Sequence, residues 1–137
     1  MLSDDELGSR REDVSVPLNE NYVKAFNAIA KDENNVLVVA KCTVSKPNNV
    51  LGVVQLTFIP NLTYVGAWRA QIEGVRVHKL LRNSDIGKAL INHCIQLAQQ
   101  RSCCLVQLTC DKLRPKAHNF YEKLGFEASH VGFKLKL

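Results

Sequence analysis

The sequence has no apolar run approaching the roughly 20 residues of a membrane-spanning helix, so no membrane partner is expected. It has no Lys/Arg block either. Its 18 basic residues are scattered, which does not mark a nucleic-acid-binding arm, and no nucleic-acid partner is expected. It lacks a paired Cys-x-x-Cys, and the adjacent His93 and Cys94 point to different helix faces, so no metal site is expected. The five cysteines are an odd number without framework spacing, and Cys103 and Cys104 are neighbours. That usage fits reduced thiols in a cytoplasmic protein. The opening stretch, Met1 to Glu12, is too polar for a signal peptide. There is no internal repeat and no low-complexity tract.

What is present is globular. With 137 residues, 46% hydrophobic and 23% charged, residues 1–137 read as a single domain. A chain of this length buries roughly two-thirds of its unfolded surface, enough for a core without disulfides or metals. The net charge of +5 suits an anionic partner or an ordinary solvated surface; charge alone does not separate the two.

The periodicities give an order of elements. Asn19 to Asp32 carries Tyr22, Phe26, Ile29 and Ala30 at helical spacing, and Asn34-Asn35 ends it. Val36 to Val44 and Val50 to Ile59 read as a hairpin across the turn residues Ser45 to Asn49. Ala67 to Val77 alternates, with Gln71, Glu73, Val75 and Val77 expected on one face. After a break at His78 to Asp85 comes a helix whose stripe is Ile86, Ala89, Leu90, Cys94, Leu97 and Ala98. Cys104 to Cys110 reads as a buried strand. Pro115 opens a helix to about Lys123, capped by Gly125. Phe126 to Leu137 reads as a last strand, with Phe133, Leu135 and Leu137 alternating against Lys134 and Lys136. Antiparallel strands followed by a strand-helix-strand crossover predict an α+β fold: a central mixed, mostly antiparallel sheet flanked by helices.

The stretch Val75-Arg76-Val77-His78-Lys79-Leu80-Leu81-Arg82-Asn83-Ser84-Asp85-Ile86-Gly87-Lys88 runs a strand into a tight loop and the loop into a helix. Unpaired amides at a helix start, backed by the positive end of the dipole, can cradle an anion. Arg82 and Lys88 add charge. The plainer alternative is ordinary capping of that helix by Ser84.

This stretch resembles the acetyl-coenzyme A loop of the GNAT N-acetyltransferases, Gln/Arg-x-x-Gly-x-Gly/Ala. Arg82 and Gly87 match its first and last fixed positions, and Asp85 stands at the central glycine. Asn83 occupies the place of a glycine that often follows the Arg, and it tolerates a left-handed backbone. A second stretch, Ala117-His118-Asn119-Phe120-Tyr121-Glu122-Lys123-Leu124-Gly125-Phe126, resembles the family's Ala-x-x-x-Tyr-x-x-x-Gly-Phe signature. Two such motifs in the right order, roughly 30 residues apart, are far more specific than either alone. The closing segment from Ala128 to Lys134 resembles the tail of a bacterial small-molecule subgroup. Leu2 to Gly8 looks like the end of the family's first helix region, so the fold is expected to be N-terminally shortened and to lack the first strand. An uncovered sheet edge invites pairing, which makes a homodimer an expectation.

The resemblance implies direct acetyl transfer from acetyl-CoA to the primary amine of a small molecule in a ternary complex. It places the coenzyme's pyrophosphate on the amides of Arg82, Asn83, Ser84, Asp85, Ile86, Gly87 and Lys88. It places the thioester near Val75, Arg76 and Val77, between strands splayed at Val75 and Leu108. The leaving thiolate needs a proton, for which the resemblance offers Tyr121. An alkylammonium of pKa about 10.4 costs about 4 kcal/mol to deprotonate near pH 7.4, so a base is required. Glu73 is the candidate, with Gln71 orienting a water; the alternative is a strand carboxylate paired with Arg69 or Lys41. Trp68, Arg69 and His130 are candidates for acceptor binding, with simple packing as the rival for Trp68. Arg114 stands where relatives carry an Asn on the coenzyme, and its guanidinium could meet a phosphate instead. His118 is either a helix-surface residue or a wall of the cleft beside Tyr121, and His78 is expected to serve loop packing. Asp85 is the chemical objection, since its carboxylate repels a phosphate by more than the helix start recovers. A non-catalytic acyl-CoA-binding or interaction module of the same fold is the rival function.

Overall fold

A computed structural model describes residues 3, 4, 6–10, 12–43 and 49–137. The turn expected at Ser45 to Asn49 falls largely outside them, as do Met1 and Leu2 of the N-terminal segment. Along the chain run α1 (Glu6–Ser9), α2 (Glu20–Lys31), β1 (Asn35–Lys41), β2 (Val50–Pro60), α3 (Thr63–Gly66), β3 (Trp68–Val77), a 3₁₀ turn (Lys79–Leu81), α4 (Ile86–Gln100), β4 (Cys103–Leu108) and α5 (Pro115–Lys123). The sheet order is β1-β2-β3-β4. The first two pairings are antiparallel, and β3 pairs parallel with β4 across α4.

Local chemistry explains most boundaries. Asn19 caps α2, its side chain accepting from the Asn21 amide at 3.0 Å. Pro115 opens α5, where its missing N–H would be unpaired anyway. At Tyr64, Val65 and Gly66 the chain takes positive φ (54°, 59° and 74°), so α3 is a left-handed turn that no apolar period announces.

The core lies between one sheet face and α4. Val54, Leu56, Phe58, Ala70 and Ile72 meet Leu90, Ile91, Cys94 and Ala98, each at most 5% exposed. The helix stripe is rotated from the expected one: Gly87 and Ile91 point inward while Ala89 is exposed. All five cysteines are free thiols, and burial pushes Cys94 up to about 11.

The opposite sheet face is polar along a row crossing all four strands. Asn35 accepts from Gln55 (3.0 Å) and Thr57 (2.7 Å), and Gln107 donates to Gln71 (2.7 Å).

The residues from Phe126 to Leu137 are not a strand. They alternate as a strand would, but alternation without a pairing partner makes none, and residues 127–137 are all exposed. Among the described residues no strand precedes β1, which forms one edge of the sheet; β4 forms the other.

Candidate active site

The site grows from an irregularity in β3. Gln55 pairs with Glu73 and Val53 with Arg76, so three steps on β3 oppose two on β2. The extra residue is a bulge, and Gly74 supplies its left-handed φ of 61°. A bulge reverses the parity of everything after it. Val75 and Val77 therefore turn to the core with Ala70 and Ile72, whereas Glu73 stays on the Gln71 face and Arg76 joins it. The expectation that Glu73 and Val75 share a face is corrected on this ground: it assumed unbroken alternation.

The bulge coincides with a parting of strands. The β3–β4 register ends at Ile72 opposite Leu108, while β3 runs five residues further to Val77. Past that point, among the described residues, the β3 edge that faced β4 has no strand partner.

At the open end the chain enters α4. His78 stops the strand, its Nδ1 accepting the Leu80 amide at 3.4 Å, a loop-packing role. Asn83 takes φ 69°, the left-handed conformation that its place in the loop demands. Ser84 does not cap the helix. Its hydroxyl donates backward to the Leu81 carbonyl, and Asp85 is the N-cap residue, with no side-chain bond to the helix. The capping alternative is thereby corrected, and among the described residues no side chain caps the first amides of α4, at Ile86, Gly87 and Lys88. Arg82 is partly engaged, donating to the Asp4 carbonyl at 3.2 Å.

Two glycines let the pieces close up. A Cβ on Gly87 would meet Phe120 Cζ at 3.4 Å and Val77 Cγ2 at 3.7 Å, so α4, β3 and α5 converge there. A Cβ on Gly52 would lie 2.9 Å from Leu90 Cδ1 and 3.0 Å from the Arg76 carbonyl oxygen. Gly52 therefore sets the distance between β2, the bulged end of β3 and α4. The sequence reading passed over it, because its strand alternates normally and only the third dimension brings α4 so close.

Tyr121, from α5, stands at this convergence. Its ring packs edge-on against Phe120 (centroids 5.2 Å apart) and Phe126 (6.0 Å). The hydroxyl has no protein partner among the described residues. Burial raises its pKa above the ordinary tyrosine value; the nearby Cys110 thiol adds to this, and Arg114 and Arg76 oppose it. The phenol is thus neutral near pH 7, on a half-buried residue. Arg76 also donates to the Val75 carbonyl at 3.0 Å. Glu73 is exposed on the polar face beside Gln71, and among the described residues it forms no ion pair with Arg69 or Lys41.

The remaining candidates are not gathered here. Trp68 and Arg69 lie at the opposite end of β3, on the order of 20 Å from Val75 at strand rise, and Trp68 packs against the core. His130 sits on the exposed tail, its Nδ1 2.7 Å from the Ser129 hydroxyl. The His118 Nε2 lies 2.9 Å from the Asp111 carbonyl oxygen, tying α5 to the loop after β4. Among the described residues, no group of three His, Cys, Asp or Glu side chains gathers as a metal site, and no helix is long and apolar enough to cross a membrane.

The β3–β4 pairing ends at Ile72 and Leu108, the bulge follows on β3, and beyond it β3, the start of α4 and the Tyr121-bearing α5 converge. The model of the acetyltransferase (GNAT) family matches residues 4–126. The chain belongs to that family. It is 32% identical over 101 residues to a glucosamine 6-phosphate N-acetyltransferase of Trypanosoma brucei brucei, covering 73% of this chain and 67% of the relative. A crystal structure described as a transcriptional regulator from Bacillus halodurans C-125 superimposes with a TM-score of 0.93 at 50% identity, covering 100% of this chain and 89% of that one. An acetyltransferase structure from Trypanosoma brucei matches with a TM-score of 0.75 at 27% identity, covering 88% and 82%.

Proposed function

We propose that this chain moves an acetyl group from acetyl-CoA to the primary amine of a small molecule by direct attack in a ternary complex. The observation that carries the reading is the half-buried Tyr121, its hydroxyl without a protein partner among the described residues, packed against the same core as Val75 and Leu108 where the β3–β4 pairing ends. The amides of Ile86, Gly87 and Lys88, with Arg82, Asn83, Ser84 and Asp85 shaping the loop, receive the pyrophosphate. Arg114 adds positive charge from the start of α5. The backbone of Val75 to Val77, on the open edge of β3, borders the thioester and offers an amide to its carbonyl oxygen as negative charge develops there.

Chemistry then assigns the side chains. Glu73, through a water held by Gln71, takes a proton from the ammonium form of the amine, which frees the lone pair. The nitrogen attacks the thioester carbon. The C–N bond forms, the C–S bond breaks, the sulfur leaves with the proton of Tyr121, and the nitrogen gives its extra proton back to the Tyr121 phenolate, leaving a neutral amide. Tyr121 is suited to this because burial keeps it protonated, and Arg76 and Arg114 stabilise negative charge beside it.

The similarity to an enzyme of glucosamine 6-phosphate supports a phosphorylated amino sugar as the acceptor. So does the carboxamide row of Gln55, Gln71 and Gln107, which can meet hydroxyl groups on the open sheet face. The test is calorimetric titration with acetyl-CoA and with CoA, followed by thiol-release assays over an amine panel that includes glucosamine 6-phosphate. Micromolar coenzyme binding and thiol release with one amine class support the proposal. Absence of binding at millimolar acetyl-CoA, in protein shown to be folded, would overturn it. A non-catalytic acyl-CoA-binding or interaction module of the same fold is the second reading; the acidic Asp85 in the loop, which opposes a coenzyme phosphate, favours its interaction form. Absence of coenzyme binding would put the interaction module first, and tight binding without thiol release from any amine the acyl-CoA-binding module.

A further inference from the structure

The polar row on the open sheet face has a direction. At one end a carboxylate oxygen of Asp32, which only accepts, takes an N–H of the Asn35 carboxamide at 2.7 Å. The Asn35 oxygen is thereby turned to Gln55 and Thr57, which donate to it. At the other end the fixed acceptor is the Ile72 carbonyl oxygen, which takes an N–H of Gln71 Nε2 at 3.3 Å. Gln71 Oε1 is thereby turned to β4, where Gln107 Nε2 donates to it at 2.7 Å. A carboxamide has the same outline either way round, but a backbone carbonyl accepts only from a donor, so chemistry sets the orientation of Gln71. The two glutamines are opposite each other in the β3–β4 register, and both are half-buried. Held on both sides, Gln71 has one N–H left for the open face. Glu73 lies two residues further along that face, without a protein partner among the described residues. Two strand rises separate them, roughly 7 Å, a gap that a single water bridges between the side chains.

We propose that Gln107 is a positioning residue for acetyl transfer: by donating to Gln71 Oε1, it turns the Gln71 N–H, and not the oxygen, to the water through which Glu73 works. The inference rests on the acetyl-transfer reading above, with Glu73 as its base. Its consequence is a direction for the proton. A water has two lone pairs and two hydrogens. Accepting from Gln71 occupies one lone pair and leaves the other for an N–H of the ammonium, while a hydrogen points to the Glu73 carboxylate. The ammonium N–H bond breaks as an O–H bond forms on the water, and the water's own hydrogen passes to Glu73. The water is unchanged, the amine is neutral and Glu73 holds the proton. With Gln71 reversed, its oxygen would take that hydrogen and compete with Glu73 for it. Gln107 thus acts through Gln71, from the neighbouring strand, rather than on the amine. The plain alternative is a cross-strand brace between β3 and β4, which would serve stability whichever way the amide pointed.

The test is thiol-release kinetics against pH for the parent, Gln107→Glu and Gln107→Lys, with a melting curve for each. Glutamate at this position only accepts and lysine only donates, and position 107 is half-exposed, so either charge reaches water. In Gln107→Glu the Gln71 amide turns its N–H to the new carboxylate and its oxygen to the water. The plateau of kcat is expected to fall about tenfold, the worth of one hydrogen bond, with KM for acetyl-CoA and the melting midpoint unmoved. Gln107→Lys keeps the direction, and its plateau is expected within about threefold of the parent's. A Gln107→Glu profile that shifts to higher pH and regains the parent plateau would overturn the proposal, since the added charge beside Glu73 then accounts for it. So would an equal loss of kcat in both variants, or a lowered midpoint with kcat retained, which makes the pair a brace. A parent that releases thiol with no amine of the panel overturns the acetyl-transfer reading itself, and this failure is told apart because it shows before any variant is made.

Discussion

From Trp68 to Ile72, β3 is hydrogen-bonded on both sides and its inward residues are buried; Ala70 is 0% and Ile72 2% exposed. From Glu73 to Val77 the same strand pairs, among the described residues, with β2 alone and passes through a bulge. One half is scaffold and the other is the candidate site. The difference shows how a small domain can do chemistry on a sheet. Regular pairing consumes every backbone donor, so amides become available to a substrate only where pairing fails, and the intact half must hold the broken half in place.

The sharpest way to test this contrast is at its boundary, where Ile72 and Glu73 are neighbours with opposite duties. Glu73→Gln is expected to lower kcat about 10²–10⁴-fold, the usual worth of a general base, with the thermal midpoint unmoved. Thiol-release kinetics alongside a melting curve check it, and a shifted midpoint with retained kcat would make Glu73 structural. Ile72→Ala should do the reverse. Removing a fully buried side chain costs about 2–5 kcal/mol of stability, read from urea unfolding, while the folded fraction keeps its activity.

On the facing wall, Tyr121→Phe is expected to cost about 10–100-fold in kcat, less than Glu73 because a thiolate already leaves readily. The same variant has a pH signature. The folded pKa of Tyr121 is raised, so the stability this group contributes is full below the unfolded tyrosine value near 10 and is lost as pH rises through the raised folded value. Phe at this position should remove that alkaline loss, which denaturant titrations at pH 9 and pH 11 would reveal. The smallest effect belongs to the loop. Asp85→Gly should tighten acetyl-CoA binding about tenfold at low salt and by less at high salt, as screening predicts. An unchanged Kd would mean that the carboxylate already points away from the phosphates.

Much of the frame was legible in the residues. β-branched runs marked β1 and β2, the 3.6-residue stripe marked α4, and Pro115 and Asn19 marked helix starts, because each of these depends on neighbours in the chain. Asn83 was legible too, since few other residues accept φ 69°. The boundary errors were small, but the parity error at Glu73 and Val75 was consequential. One inserted residue inverts every later side chain, and its only trace in the sequence is Gly74. Ser84 was misread for a related reason: a serine before a helix has two acceptors and donors within reach, and here the Leu81 carbonyl wins.

The sequence by itself determined the family and, apart from the short turn α3, the order of elements from α2 to α5, because these rest on local periodicity and on residue type. Tertiary structure alone decided where the β3–β4 pairing ends, that Gly52 admits α4 against the Arg76 carbonyl, and that Tyr121 is half-buried against Phe120 and Phe126 while Trp68, Arg69 and His130 lie elsewhere. It also decided that the alternating tail pairs with no strand among the described residues. Each of these depends on groups distant in sequence. A strand pair, a close approach or a shifted pKa is a property of two neighbours, and one-dimensional patterning specifies only one of them.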